Sequence, residues 1–137
     1  MKTDNTVLNV AVRELVKAAR EAAKAAYCPY SNYPVGAALR LGDGRIVTGC
    51  NIENASYGLC NCAERTAVFK AVSEGDRNFA ALAVCGGTTN PAYPCGACRQ
   101  VLAEFFTPET PVYIASLEGD EILTSSVGRL LPLSFSL

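Results

Sequence analysis

The sequence predicts an α/β domain, a three-layer α-β-α sandwich on a mixed, about five-stranded sheet. Three observations carry that reading. A hairpin of residues 35–41 and 45–50 turns at Gly42-Asp43-Gly44, setting two strands side by side. The run 79–85 is apolar throughout, without alternation, as a strand buried on both faces should be. Helical spacing recurs before, between and after these strands, and strands separated by helices within 137 residues imply one layered domain spanning 1–137.

Each element follows from local pattern. From about Leu8 to Tyr27, the residues Val12, Leu15, Val16, Ala19, Ala22, Ala23 and Ala26 recur at helical intervals. Pro29 ends that helix, and residues 29–34 form a rigid loop bearing aromatic side chains. After the hairpin, residues 51–60 are irregular and rich in Asn, Gly and Tyr. A second helix is predicted over 62–73, with Ala67, Val68, Ala71 and Val72 facing inward and Gly75 as the stop. Beyond the apolar strand and a loop at 86–94, a third helix covers 96–106. Residues 111–115 and 121–123 read as two more strands.

Composition narrows the function. Net charge is −1, with acids and bases interspersed and no run of Lys or Arg, so a nucleic-acid polymer is not the expected partner. A neutral small molecule fits better. Half of the residues are hydrophobic, a surplus for so short a chain, which suggests apolar surface buried between subunits. Met1 is followed by Lys2, Thr3 and Asp4 without an apolar signal core, and no stretch approaches a membrane span. A cytoplasmic protein without a membrane partner is expected.

Seven cysteines without a secretion signal argue for reduced thiols and metal binding. The chain has no histidine, which removes Ser-His and Cys-His catalysis and any imidazole metal ligand. Cys62-Ala63-Glu64, followed by Pro94-Cys95-Gly96-Ala97-Cys98, supplies three thiolates and one carboxylate. Three ligands with a fourth position open are the inventory of a catalytic zinc site, since structural sites close all four. Cys95 and Cys98 lie three apart and share one side of a first helical turn. Cys62 and Glu64 are two apart, which within a helix points them about 200° apart but in extended backbone gives them one face. Cys62 is therefore expected at the very edge of its helix, where the macrodipole and free N–H groups favour a thiolate.

Three thiolates on one zinc leave a net negative charge, which opposes ionising a water. Arg65 and Arg99, each next to a ligand or to the carboxylate, are candidates to donate to the sulfurs, Arg65 the stronger. A structural four-cysteine site completed by Cys60 is the competing reading, although C-x-C is tighter than usual ligand spacing and such a site has no use for Glu64. Cys28, Cys50 and Cys85 read as small buried hydrophobes.

The C-x-E…P-C-x-x-C pattern is that of zinc nucleobase deaminases. With Pro29-Tyr30-Ser31-x-x-Pro34-Val35-Gly36-Ala37-Ala38, Gly49-Cys50-Asn51-Ile52-Glu53-Asn54-Ala55, Cys62-Ala63-Glu64-Arg65-Thr66-Ala67 and Pro94-Cys95-Gly96-Ala97-Cys98-Arg99-Gln100 in order, the chain resembles the small homotetrameric cytidine deaminases. The resemblance implies Zn2+ on Cys62, Cys95 and Cys98, one ion per chain, with Glu64 as proton shuttle. It implies ribose contacts from Asn51 and Glu53, backbone contact to the pyrimidine edge at Ala63, and the Tyr33 ring flanking the base where the family often has Phe. It also implies that Phe135 reaches a neighbouring subunit's site, although Leu133-Ser134 replaces the more usual glycine-containing pair there. The implied reaction is hydrolytic deamination of cytidine and deoxycytidine in pyrimidine salvage. The alternatives are a deaminase of another nucleoside or base analogue and a non-catalytic zinc-binding scaffold; the N-x-E segment speaks against free bases and blasticidin, the lack of basic surface and of histidine against tRNA or nucleotides, and Glu64 against the scaffold.

Overall fold

Alternation along one strand sets the layering. In β4 (Phe79–Gly86), Leu82 and Val84 join one core while Ala81, Ala83 and Cys85 join another, so the strand is buried on both faces as its apolar run predicts. The computed structural model describes residues 10–137 and the backbone of Lys2–Thr3. Around β4 lie β1 (Lys2–Thr3), β2 (Val35–Leu41), β3 (Ile46–Cys50), β5 (Pro111–Ala115) and β6 (Ile122–Ser126). They form one sheet in the order β1-β6-β5-β4-β2-β3. β4 and β5 are parallel, with Leu82 opposite Val112, and the other neighbours are antiparallel, so the sheet is mixed.

Helix α1 (Val10–Ala23) covers one face, packing Val12, Leu15, Val16 and Ala19 onto Ala38, Ala83 and Cys85. Helices α2 (Ala63–Ser73) and α3 (Gly96–Phe105) cover the other, with Ala67, Val68 and Leu102 against Leu39, Val84 and Ile114. The expected three-layer sandwich is the one observed.

The differences from expectation are local. A sixth strand, β1, is only two residues long and pairs with β6, too short to leave a sequence period. The last strand reaches Ser126, and a one-turn helix, α4 (Val127–Leu130), follows because the Ser126 hydroxyl accepts the Arg129 N–H at 3.2 Å. Helix α1 ends at Ala23, short of Tyr27, and the expected start near Leu8 lies outside the described residues. After Ala23 the backbone tightens into i→i−3 bonds, each 3.1 Å, from Lys24, Ala25 and Ala26. The Tyr27 N–H then leaves the helix for the Asn51 carbonyl, at 3.0 Å. That crossing ties the end of α1 to the segment after β3.

Two glycines let the layers close on each other. A Cβ at Gly36 would sit 1.9 Å from the Ala19 carbonyl oxygen, so β2 lies directly against α1. A Cβ at Gly49 would sit 2.5 Å from the Ala67 nitrogen and 2.7 Å from the Ala63 oxygen, so β3 lies directly against the start of α2. We expect Gly49→Ala to push these elements apart at a cost of about 1–3 kcal/mol, read as a lowered unfolding midpoint. Gly58→Ala, where a methyl meets nothing within 4 Å, should leave the midpoint near wild type. Equal midpoints for the two variants would contradict the packing.

Candidate active site

Two helix N-termini meet on the α2/α3 side of the sheet. Cys62 is the N-cap of α2 (φ −74°, ψ 156°) and Cys95 the N-cap of α3 (φ −72°, ψ 170°), both extended. Neither thiol makes a capping hydrogen bond, which leaves both free for another partner. Cys98 follows on the first turn of α3, fully buried. The expected place of Cys62, at the edge of its helix, is where it stands.

The three sulfurs lie within 4.8 Å of one another, and those of Cys62 and Cys95 are 3.9 Å apart. Tetrahedral zinc with Zn–S bonds near 2.3 Å holds its sulfurs about 3.8 Å apart, so the set fits one zinc with a fourth position left open. Cys60 is bound elsewhere. Its sulfur accepts the Asn54 N–H at 3.2 Å and donates to the Asn54 carbonyl at 3.6 Å. The alternative site with four cysteines is not formed.

Charge around the sulfurs is arranged in their favour. Hydrogen bonding from Cys98 above all, with the Arg65 guanidinium donating through Nη2 at 3.2 Å, brings the Cys62 thiol down to about 5. Cys98 is pushed the other way, because it donates to that thiolate and is buried. Arg99 does not reach a sulfur. It donates through Nε to the Pro94 carbonyl at 2.7 Å and through Nη1 to the Leu130 carbonyl at 2.8 Å, which brace the chain leading into Cys95.

Glu64, in the first turn of α2, is only 4% exposed, and burial raises its carboxyl to about 7. It faces a cavity of about 220 Å³ together with Cys62, Ala63 and Cys95. Tyr33 and Val35 enter from the start of β2, Asn51 from the end of β3, Val84 from β4, and Ala92 and Tyr93 from the β4–α3 loop. A buried carboxylate and an open metal position therefore share one small chamber.

The remaining expected residues fall in three places. Asn51 is on the cavity wall, its Oδ1 accepting the Val35 N–H at 2.9 Å and its Nδ2 donating to the Tyr33 carbonyl at 2.8 Å. Glu53 lines a second hollow, of about 310 Å³, with Tyr30, Ser31, Tyr57 and Cys60. Its carboxylate accepts the Ser31 hydroxyl and the N–H groups of Tyr30 and Ser31, at 3.0 and 3.1 Å, and the Ser31 hydroxyl chiefly keeps it below the ordinary range. Phe135 lies apart, 69% exposed, its carbonyl accepting from Gln100 Nε2 at 3.1 Å. Val35, Val84, Ala92 and Tyr93 were not singled out by sequence. For Tyr93 the available signal was its position directly before Pro94-Cys95.

A mixed α/β sandwich holding an open three-thiolate position beside a buried carboxylate defines a class of hydrolytic zinc enzyme. Residues 10–114 match the family model described as cytidine and deoxycytidylate deaminase zinc-binding region. The cytidine deaminases of Sporosarcina psychrophila and Halalkalibacterium halodurans are each 55% identical to this chain, over 91% and 89% of it and 91% and 92% of their own lengths. The crystal structure of cytidine deaminase from Burkholderia pseudomallei superposes with a TM-score of 0.86 at 53% identity, covering 90% of this chain and 98% of that one. The chain belongs to the cytidine and deoxycytidylate deaminase family, and Zn2+ is its cofactor.

Metal analysis separates the two thiol assignments. Cys98→Ala should carry far less than one zinc per chain, whereas Cys60→Ala should carry as much as wild type. Zinc loss in Cys60→Ala equal to that in Cys98→Ala would contradict the three-sulfur centre.

Proposed function

We propose that this protein catalyses the hydrolytic deamination of cytidine and deoxycytidine to uridine and deoxyuridine, releasing ammonia, as a step of pyrimidine salvage. The observation that carries the reading is the buried Glu64 carboxyl facing the same chamber as Cys62 and Cys95, two members of the three-sulfur group. The similarity to proteins named cytidine deaminase supports it. Cys62, Cys95 and Cys98 hold the zinc, which when bound supplies a Lewis acid and an ionised water near neutral pH.

Glu64 carries the protons. It takes one from the attacking water and passes it to N3 as C4 becomes tetrahedral, then takes the remaining proton from the new C4 hydroxyl and gives it to the amine as the C4–N bond breaks and C4=O forms. A carboxyl raised to about 7 by burial is close to the working pH, where it both accepts and returns a proton readily. The Arg65 guanidinium draws charge from Cys62 and so limits how far three sulfurs weaken the metal as an acid.

Substrate contacts follow from the walls. The Ala63 backbone meets the pyrimidine edge and the half-exposed Tyr33 ring flanks the base. Asn51 and Glu53 accept from ribose hydroxyls while holding the loop before β2, because each of their oxygens has lone pairs for more than one donor. Phe135 serves a neighbouring subunit. A homotetramer is supported by apolar side chains left in the open, among them Tyr57, Leu59, Phe69, Leu133 and Phe135.

Both cores lie on one sheet, which supports a single domain. A cytoplasmic location goes with the absence, among the described residues, of a helix long and apolar enough to cross a membrane, and a net charge of −1 favours a nucleoside over a nucleic-acid polymer.

Glu64→Ala tests the assignment. It should keep its zinc yet lose at least about 10²-fold in cytidine turnover, followed by the change in base absorbance. A zinc-loaded variant that stays active, or a zinc-replete wild type inert to cytidine, would overturn the reading.

A further inference from the structure

The geometry points to Tyr93 as the residue that limits what the pyrimidine carries at C5, a specificity determinant of the proposed reaction on which this inference rests. Its backbone is fixed on both sides. The Ala92 N–H bonds the Gly86 carbonyl at 3.1 Å, the Pro94 carbonyl accepts from Arg99 Nε at 2.7 Å, and the Cys95 carbonyl accepts the Arg99 N–H at 3.0 Å. Pro94 is buried, whereas the Tyr93 side chain is 49% exposed and lines the Glu64 cavity. The ring is thus a large group on a rigid mount, two residues from a metal ligand.

The orientation of the base places C5 against it. Glu64 serves both N3 and the amine on C4, so the N3 edge of the ring faces the start of α2. In a six-membered ring C5 and C6 lie across from N3 and C2, so their edge faces lining that other elements supply. C4 has to sit at the metal position, where Cys62 and Cys95 of the three ligands line the cavity. C5, next to C4 and away from Glu64, therefore lies toward the Cys95 side, where Ala92 and Tyr93 form the wall.

Tyr33 reaches across to the β4–α3 loop, its hydroxyl 2.8 Å from where a Cβ on Gly87 would be, and Gly87 holds a positive φ of 77°. In a cavity of about 220 Å³, one aromatic ring on the C5 side decides whether a methyl group is accepted. The Ala92 methyl, which sits 3.0 Å from where a Cβ on Gly86 would be, packs into the fold and leaves Tyr93 as the adjustable part of that wall.

The experiment compares wild type, Tyr93→Ala and Tyr93→Phe on cytidine and 5-methylcytidine, with uridine and 5-methyluridine titrated calorimetrically as a readout that needs no turnover. Wild type and Tyr93→Phe should prefer cytidine strongly. Tyr93→Ala should narrow the kcat/KM ratio by about tenfold or more, the scale of one misfitting methylene, and narrow the Kd ratio of the two uridines in the same direction. Melting temperature should hold, because the ring is half outside. Unchanged ratios in Tyr93→Ala would overturn the inference, as would their narrowing equally in Tyr93→Phe. A wild type that leaves cytidine untouched yet discriminates the two uridines through Tyr93 would overturn the proposed reaction alone.

Discussion

Everything at this site depends on bringing three cysteine sulfurs within 4.8 Å by abutting two helix N-termini. A lone helix start offers partial positive charge and free N–H groups, but the sulfurs come from two segments more than thirty residues apart in sequence. The sheet makes the meeting possible. β3 carries Gly49 against the first turn of α2, and β4 runs into the braced loop that delivers Cys95. The N-cap role itself then turns the Cys62 and Cys95 thiols toward the ion, because an extended residue does not follow the helical side-chain spiral, and Cys98 joins them from the first turn of α3.

The same arrangement sets the chemistry. Burial raises Glu64 and so keeps a proton available near neutral pH, while Arg65 donates to Cys62 and offsets part of the thiolate charge. These demands oppose each other, since a dry pocket penalises every charge placed in it. They coexist because Arg65 follows Glu64 directly in α2, so one helical turn presents a carboxyl to the cavity and a cation to a sulfur. The loop before β2 plays the mechanical counterpart. Asn51 holds it at Tyr33 and Val35, and Glu53 holds it at Tyr30 and Ser31, so the aromatic wall is fixed before a ligand arrives.

Much of this was legible in the sequence, for physical reasons. The hairpin was readable from Gly42-Asp43-Gly44, the buried strand from its unbroken apolar run, and the edge position of Cys62 from a spacing that a helix interior cannot satisfy. What stayed hidden depends on direction and on short range. Arg65 and Arg99 each follow a functional residue, yet only Arg65 finds a sulfur, because adjacency does not say which way a long side chain leaves a helix. Residues two apart in extended backbone share a face, yet Asn51 and Glu53 line different hollows, Asn51 held by Val35 and Tyr33 and Glu53 by Tyr30 and Ser31. The two-residue β1 and one-turn α4 are too short for any periodicity. Tyr93 carries no motif of its own, and only the fold places it at the cavity.

The most direct test of the central claim is X-ray absorption at the zinc edge on the fully loaded protein. Three sulfurs near 2.3 Å with one lighter atom near 2.0 Å is the result the open three-thiolate centre requires. Four sulfurs would mean that Cys60 or another thiol closes the site, and the centre would be structural.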